Sequence, residues 1–223
     1  MSQNIKKVAV LGAGVMGAQI AGHLANAGIP SYLFDINDEL SKNGVDSLTS
    51  LKPAPLYKPK NAELVTPCTY DNDIIKIAEV DWVLEAVVER LDIKEQVYNN
   101  LLPHLKDTAI LTSNTSGIPL ANLVEVLPED IQKSFLIAQY FKPPRYLKVL
   151  ELVKGEKTSD DVYDTVTEFG ETTLGKGIVH AKDTPGFIGN RLVNAGAPLT
   201  YHKAIEMGLT VEDVDALSGA LVG

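Results

Sequence analysis

Glycines near the amino terminus have the spacing of a phosphate-binding turn. Gly12–Gly17 reads G-x-G-x-x-G and follows directly on the apolar run Val8–Leu11. The first glycine permits a tight turn from a strand into a helix, the second leaves bare backbone for a pyrophosphate, and the third lets strand and helix pack closely. Free N–H groups at the start of the helix then face the phosphates. The residues predicted to contact a dinucleotide here are Gly12, Gly14, Val15, Met16 and Gly17.

An aspartate ends the next predicted strand. Gly28 stops the helical pattern, Ser31–Phe34 reads as a strand, and Asp35 follows 18 residues after Gly17. This is close to the interval of roughly 20 residues at which a carboxylate binds a ribose 2′-hydroxyl. Because a carboxylate repels a 2′-phosphate, the sequence favours NAD over NADP. Asp35 has a simpler alternative as a loop aspartate that only caps a neighbouring group.

Composition restricts the class of protein. The chain has 223 residues, 45% of them hydrophobic, and a formal charge of −9, so it can build a core and is a poor candidate for binding nucleic acid. Cys68 is the only cysteine, which excludes an internal disulfide and favours a reducing compartment. No apolar stretch is long enough to span a bilayer. We therefore expect a soluble, cytoplasmic protein that binds neither membrane nor nucleic acid.

The elements that must position these residues alternate along the chain. After Asp35 the patterns predict a helix over 39–51, an extended segment over 52–57, a strand over 64–66 and a short helix over 72–78. A buried strand over 81–88, an amphipathic helix over 91–102 and a strand over 109–112 follow. Such alternation predicts an α/β fold with a Rossmann-type, doubly wound, mostly parallel sheet. Ligands bind beyond the carboxyl ends of such strands, where Gly12–Gly17, Asp35, Glu89 and Ser113–Ser116 should meet.

Four motifs together carry a family resemblance. Gly12–Gly17, Glu85–Glu89, Ser113–Ser116 and Lys182–Arg191 resemble the corresponding motifs of the NAD-dependent L-3-hydroxyacyl-CoA dehydrogenases of fatty-acid β-oxidation. The resemblance covers nearly the whole chain. It implies NAD as cofactor, an acyl-CoA as substrate, and oxidation of L-3-hydroxyacyl-CoA to 3-ketoacyl-CoA. It implies no metal site.

The resemblance also assigns roles to individual residues. Glu89 and Lys94 match family residues that line the ribose and nicotinamide side of NAD, and Ser116 matches a serine that contacts both cofactor and substrate. Such a serine donates a hydrogen bond to the reacting oxygen of the substrate. Asn190 matches an asparagine near the nicotinamide and the substrate. The simpler alternatives are a polar turn after a strand for Ser116 and a helix-start residue for Asn190.

One departure from the family concerns the catalytic base. Gln139 stands where the family has a histidine, and Lys142 stands where it has an asparagine. A secondary alcohol must lose a proton as hydride leaves, and an amide cannot take that proton as an imidazole can. Glu151 matches the acid that orients the family's histidine. Within the apolar run 149–153, Glu151 indicates either a persisting active-site pocket or an edge strand that points the carboxylate to solvent.

The carboxyl-terminal part predicts a second domain. We expect an NAD-binding domain over residues 1–184 and the beginning of a helical dimerisation and substrate domain over 185–223, with helices over 187–207 and 211–217. The apolar side chains of the longer helix predict a homodimer or higher homo-oligomer. The helical pair with which the family helps hold CoA is reduced to one helix. Lys52–Tyr57 and Pro143–Tyr146 resemble a bacterial branch of the family. Two alternatives to an impaired dehydrogenase remain, a non-catalytic NAD-binding or assembly subunit and a different dehydrogenase on the same scaffold.

Overall fold

A computed structural model describes residues 4–219 of the chain, and within them one eight-stranded sheet forms the centre of the fold. The strands are β1 (Val8–Leu11), β2 (Ser31–Asp35), β3 (Val65–Thr69), β4 (Trp82–Glu85), β5 (Ile110–Ser113), β6 (Phe135–Tyr140), β7 (Val149–Lys154) and β8 (Gly177–Ala181). Their order is β3-β2-β1-β4-β5-β6-β7-β8, and only the β6–β7 pair is antiparallel. The predicted Rossmann-type, mostly parallel fold class is confirmed.

Helices connect the strands, and two further helices come after the last strand in the chain. They are α1 (Val15–Asn26), α2 (Asp38–Ser50), α3 (Tyr70–Asp73), α4 (Leu91–Leu101), α5 (Leu120–Glu125), α6 (Asp160–Thr172), α7 (Gly189–Glu206) and α8 (Val211–Ser218). Short 3₁₀ turns span Pro59–Leu64, Ile74–Glu79, Leu102–His104 and Ile131–Ser134. Side-chain caps fix several helix starts: Asn37 accepts from Leu40 N at α2, and Ser159 accepts from Val162 N at α6.

The described chain divides into two compact units, the first ending at Pro185 and the second beginning at Gly186. The sheet belongs to the first unit, where the buried side chains of β1 and of α1 share one apolar core. Trp82 of β4 and Phe169 of α6 meet edge to face in this core, with ring centroids 5.8 Å apart. No helix among residues 4–219 has the length and apolar character needed to cross a bilayer. The functional assignment of each unit stays a prediction.

Three predicted elements differ in extent or type from the observed ones. The strand predicted over 81–88 ends at Glu85, because its partner β1 ends at Leu11 opposite Glu85 and the chain of β1 then turns away at Gly12. The strand predicted over 64–66 runs to Thr69, where it still pairs with Asp35. The helix predicted over 72–78 is instead the short α3 followed by a 3₁₀ turn.

The position of β7 decides between the two interpretations of Glu151. β7 lies between β6 and β8 and is not an edge strand, and Glu151 is almost completely buried. The alternative that Glu151 points to solvent from an edge strand is therefore wrong. Residues 150–153 of the apolar run are buried, so Glu151 lies in the protein interior.

Candidate active site

The glycine turn between β1 and α1 has the shape that a pyrophosphate requires. Gly12 has a φ of +98°, and a Cβ at this residue would lie 2.7 Å from the carbonyl oxygen of Ala86. A Cβ at Gly17 would lie 1.8 Å from the carbonyl oxygen of Gly12. At Gly14, by contrast, a Cβ would meet no protein atom within 4 Å. The outer glycines are thus required by the protein's own packing, whereas the middle one borders open space beside the backbone.

The start of α1 presents unsatisfied donors to that space. Gly14 occupies the N-cap position without a side-chain cap, and the first turn, which contains Val15 and Met16, carries no acidic residue. The N–H groups of a first turn have no partner within their own helix and favour negative charge. The five residues predicted to contact a dinucleotide lie in one turn, the cradle Gly12–Gly17. Gly12 N donates to Phe34 O at 2.8 Å, so the free donors that fit the pyrophosphate of NAD are those at the start of α1.

Asp35 lies at the carboxyl end of β2, beside this cradle. Its Oδ2 accepts from Ala13 N at 2.7 Å and its Oδ1 accepts from Ile36 N at 2.7 Å. The simpler alternative for Asp35 is thus part of the observed structure, because the carboxylate does hold neighbouring backbone. Each carboxylate oxygen retains a second lone pair, and the side chain is partly exposed. Asp35 can therefore also accept a hydrogen bond from a ribose hydroxyl. The preference of this chain for NAD over NADP stays a prediction.

A completely buried carboxylate, Glu85, connects the elements around the candidate site. It accepts hydrogen bonds from Lys94 Nζ at 2.7 Å, Ser113 Oγ at 2.6 Å, Val87 N at 2.8 Å and Tyr98 Oη at 3.0 Å. Burial, followed by the charge of Glu85, raises the pKa of the Tyr98 phenol well above its usual range, so Tyr98 remains a donor. Sequence reasoning gave Glu85 no role. The available signal was a carboxylate at the end of an apolar strand, which requires partners when it is buried.

Glu89 holds the polar turn that follows β5. Its Oε1 accepts from the Thr115 hydroxyl, from Ser116 N at 2.9 Å and from Gly117 N at 2.7 Å, and Lys94 Nζ lies 3.3 Å from its Oε2. Burial raises the pKa of Glu89, but these hydrogen bonds and the Lys94 charge outweigh it, so the pKa lies below its ordinary value. The structure therefore brings together Glu89, Lys94 and Ser116, three of the residues predicted at the cofactor.

The same turn is tied to the strand that carries Gln139. Asn114 Oδ1 accepts from Tyr140 N at 2.8 Å, so the polar turn and the end of β6 are fixed relative to each other. The backbone of Ser116 is held by Glu89, whereas its hydroxyl makes no hydrogen bond to any residue within 4–219. Ser116 does lie in a polar turn after a strand, as the simpler alternative states, and this turn presents a hydroxyl donor.

Gln139 and Glu151 are directly opposite each other in the β6–β7 pair. Both side chains are buried, and Gln139 Oε1 has no hydrogen-bond partner within the described part of the chain. A buried carbonyl oxygen without a donor costs about 1–3 kcal/mol, so its retention calls for an explanation. Lys142 is exposed. Asn190 lies in the second unit, as the second residue of α7, and its role at the substrate stays a prediction.

Comparisons with known proteins identify the family of this chain. The profile of the family described as "3-hydroxyacyl-CoA dehydrogenase, NAD binding domain" matches residues 7–184. A probable 3-hydroxyacyl-CoA dehydrogenase of Deinococcus radiodurans is 43% identical over 98% of this chain and 65% of its own length. One of Bacillus subtilis is 40% identical over 100% of this chain and 31% of its own length. The chain thus spans about a third to two thirds of these relatives.

A solved structure supports the same conclusion. The (S)-3-hydroxybutyryl-CoA dehydrogenase PaaH1 of Ralstonia eutropha superposes with a TM-score of 0.82 at 25% identity, over 97% of this chain and 77% of that one. The fold, the family profile and the resemblance of the four sequence motifs all agree. The chain therefore belongs to the NAD-dependent 3-hydroxyacyl-CoA dehydrogenase family, which confirms both the family and the cofactor that the sequence predicts.

Proposed function

We propose that this chain binds NAD and oxidises an L-3-hydroxyacyl-CoA to a 3-ketoacyl-CoA at a rate far below that of an enzyme with a histidine base. The observation that carries the proposal is the buried pair Gln139 and Glu151. A hydrogen bond from Tyr140 N to Asn114 joins the strand of Gln139 to the polar turn that contains Ser116. Such a reaction belongs to fatty-acid β-oxidation.

The chemistry follows from the groups that the site contains. Bound NAD would supply the acceptor for the hydride that leaves the carbon bearing the substrate's hydroxyl. The Ser116 hydroxyl donates a hydrogen bond to the substrate oxygen and stabilises charge that develops there. Gln139 Oε1, which has no donor of its own among the described residues, accepts from the substrate hydroxyl. The amide holds the proton in place but does not remove it, so the proton must pass to water and the reaction is slow.

The cofactor is held by the residues that the sequence singled out. The cradle Gly12–Gly17 binds the pyrophosphate through backbone N–H groups, and Asp35 binds the adenosine ribose. Glu89 and Lys94 line the ribose and nicotinamide side. We assign residues 1–184 to an NAD-binding domain and residues 185–223 to the beginning of a helical domain, and for Asn190 we propose the role that the family resemblance implies, contact with the substrate. We further propose a cytoplasmic homo-oligomer.

Replacing the amide by a base tests this proposal. Gln139→His should raise the rate of NADH formation from 3-hydroxybutyryl-CoA roughly 10²–10⁴-fold, the usual worth of a positioned general base. The pH–rate profile should then gain a limb from the new imidazole, whose cation Glu151 stabilises. Gln139→Met is the matched control, because it keeps the length of the side chain and supplies no base. The double variant with Lys142→Asn should be at least as active as Gln139→His.

The competing function is a non-catalytic NAD-binding or assembly subunit. Gln139 favours this function as well, because its amide has no group that titrates near neutral pH and so cannot act as a general base. Calorimetric titration with NAD separates the two functions. If the Gln139→His variant binds NAD as tightly as the unmodified chain and still forms no NADH, the dehydrogenase proposal is wrong and the non-catalytic one should replace it.

A further inference from the structure

Two segments about 90 residues apart in the chain are locked together by one side chain. Arg145 Nη1 donates to the carbonyl oxygens of Ala54 at 2.6 Å and Leu56 at 2.8 Å, and Tyr146 Oη donates to Ala54 O at 3.1 Å. The guanidinium carbon lies 4.4 Å from the ring centroid of Tyr57 and 5.0 Å from that of Tyr146. We call this arrangement the Arg145 clamp. It joins the two segments that resemble a bacterial branch of the family.

The loop that carries the clamp is also held from its inner side. The buried ammonium of Lys176 donates to the carbonyl oxygens of Pro144 and Leu147, the latter at 3.0 Å. Within the loop, Tyr146 N and Leu147 N both donate to Pro143 O at 3.0 Å. The loop between β6 and β7 is therefore held in place by hydrogen bonds within the protein. A binding surface held in this way loses little conformational entropy when a ligand binds.

The clamped segments carry an unusual set of charges. Residues 52–60 and 142–148 contain no aspartate or glutamate, whereas the whole chain has a net charge of −9. Their five lysines are exposed, and none forms an ion pair within residues 4–219: Lys52, Lys58, Lys60, Lys142 and Lys148. Eight lysines outside these segments do pair with carboxylates. The positive charge of the clamped segments is thus uncompensated.

Chain geometry keeps these lysines near the clamp. Lys58 directly follows Tyr57, and Lys148 is two residues from Tyr146. Lys142 is three residues from Arg145, which limits the distance between their Cα atoms to about 11 Å at 3.8 Å per peptide unit. The same loop begins just after Gln139 and Tyr140, at the end of β6. The basic segments therefore adjoin the strand that carries the candidate active site.

The aromatic rings add a second kind of contact. Tyr57 is 63% exposed and Tyr146 is 46% exposed, although Arg145 packs against both rings. Exposed aromatic faces beside uncompensated cations are suited to a planar base that carries phosphates. An acyl-CoA has such an end, an adenosine with a 3′-phosphate and a 5′-diphosphate. A fatty-acyl chain carries no charge that could pair with the five lysines.

We propose that the Arg145 clamp and its five lysines bind the phosphorylated adenosine end of the acyl-CoA. This inference rests on the proposed function, because that function supplies the acyl-CoA. The adenine base stacks on an exposed tyrosine, and the phosphates bind the lysines on either side. In this proposal, the clamped loop replaces the helical pair with which the family helps hold CoA, because this chain has only one α-helix, α2, between β2 and β3.

Calorimetric titration with adenosine 3′,5′-bisphosphate tests the site without requiring turnover. The double variant Lys58→Gln with Lys148→Gln should weaken binding of this probe at least about 10-fold and flatten its dependence on salt. Tyr57→Ala should also weaken it. The matched control is Lys6→Gln with Lys133→Gln, which removes two exposed lysines that lie outside the segments and form no ion pair in the described chain. The control should bind the probe like the unmodified chain.

The same samples are titrated with NAD, so that the two proposals fail separately. NAD binding unchanged in all variants, with bisphosphate binding weakened in the Lys58 and Lys148 variant and in Tyr57→Ala but not in the control, supports the site. Equal bisphosphate affinity in the two double variants, or no bisphosphate binding by the unmodified chain, overturns it. Absence of NAD binding by the unmodified chain overturns the proposed function and leaves the bisphosphate result to be judged by itself.

Discussion

Among single residues, Glu85 has the widest influence on the candidate site. Its carboxylate holds Lys94 and Ser113, and Lys94 also reaches Glu89, which in turn holds the backbone of Ser116. Glu85→Gln keeps the shape of the side chain but leaves the Lys94 ammonium buried with a weaker partner. Breaking one side of a buried ion pair commonly costs about 3–5 kcal/mol. We expect this order of loss in the free energy of unfolding, together with weaker NAD binding.

Urea unfolding and NAD calorimetry distinguish a positioning role from a purely structural one. Thr112→Val is a suitable control, because it removes the buried hydrogen bond from Trp82 Nε1, 2.9 Å long, in the same sheet without touching the polar turn. That variant should lose stability and keep its NAD affinity. If Glu85→Gln also kept the NAD affinity of the unmodified chain, Glu85 would be structural only.

Asp35 should set the choice of cofactor. Asp35→Ala removes the carboxylate that repels a 2′-phosphate, so the preference for NAD over NADP should narrow, mainly through weaker NAD binding. Part of the loss will come from Ala13 N, whose hydrogen bond to Oδ2 disappears. Asp35→Asn retains an acceptor without the charge and serves as the comparison. Equal affinity of the unmodified chain for NAD and NADP would refute the assignment.

His23 should make the fold sensitive to acid. Burial, followed by the charge of Lys176, lowers the pKa of His23 to about 4 from 6.5. Between these values the unfolded chain binds a proton that the folded chain does not, so stability must fall as the pH falls from 6.5 towards 4. Between pH 7 and pH 5 this amounts to about 2 kcal/mol.

Urea unfolding at pH 7 and at pH 5 measures the effect of His23. Other groups titrate in the same interval, but they contribute equally in His23→Leu, so the difference between the two proteins isolates the histidine. The variant should lose about 2 kcal/mol less than the unmodified chain over this interval. Identical losses in both proteins would mean that His23 has the same pKa in the folded and unfolded chain.

The residues of the cofactor cradle were within reach of sequence reasoning, because their spacing is local. Gly12–Gly17 and Asp35 lie on consecutive elements, and the rules for a strand, a tight turn and a helix start place them together. The partners of Glu85 and the contacts of Arg145 are not local. They depend on a three-dimensional convergence of strands and loops that no period or spacing in one sequence encodes.

At the scale of elements, the type of each segment was easier to predict than its ends. Apolar runs identified β4 and β5, but β4 stops at Glu85 because its neighbour β1 stops there. The end of a strand is thus set by pairing and not by its own residues. The early end has a functional effect, since the four residues after Glu85 form the loop that lets Glu89 fold back onto the turn at Ser116.

At the scale of the whole molecule, the exposed apolar side chains of α7 predict self-association. Leu192, Val193, Leu199 and Ile205 are exposed by 68%, 69%, 68% and 77%. Exposed apolar side chains of this size on one helix usually mark an interface, and Leu192 and Leu199 share one face because seven residues are close to two helical turns. Leu192→Lys with Leu199→Lys should shift the sedimentation coefficient to that of a monomer, whereas Leu40→Lys with Ile75→Lys, at exposed positions of the first unit, should not. An unmodified chain that sediments as a monomer at tens of micromolar would contradict the prediction.

β1 is first in the chain but lies in the middle of the sheet, which has a consequence for biosynthesis. It pairs with β2 on one side and with β4 on the other, and Lys6 N and Lys7 N both donate to the Asp81 carboxylate just before β4. At roughly 5–20 residues per second, a ribosome adds Glu85 about 4–15 s after Leu11. During this interval one edge of β1 exposes unpaired backbone groups to other nascent chains. Slower translation between these two strands should therefore increase aggregation, whereas a pause after β4 should not.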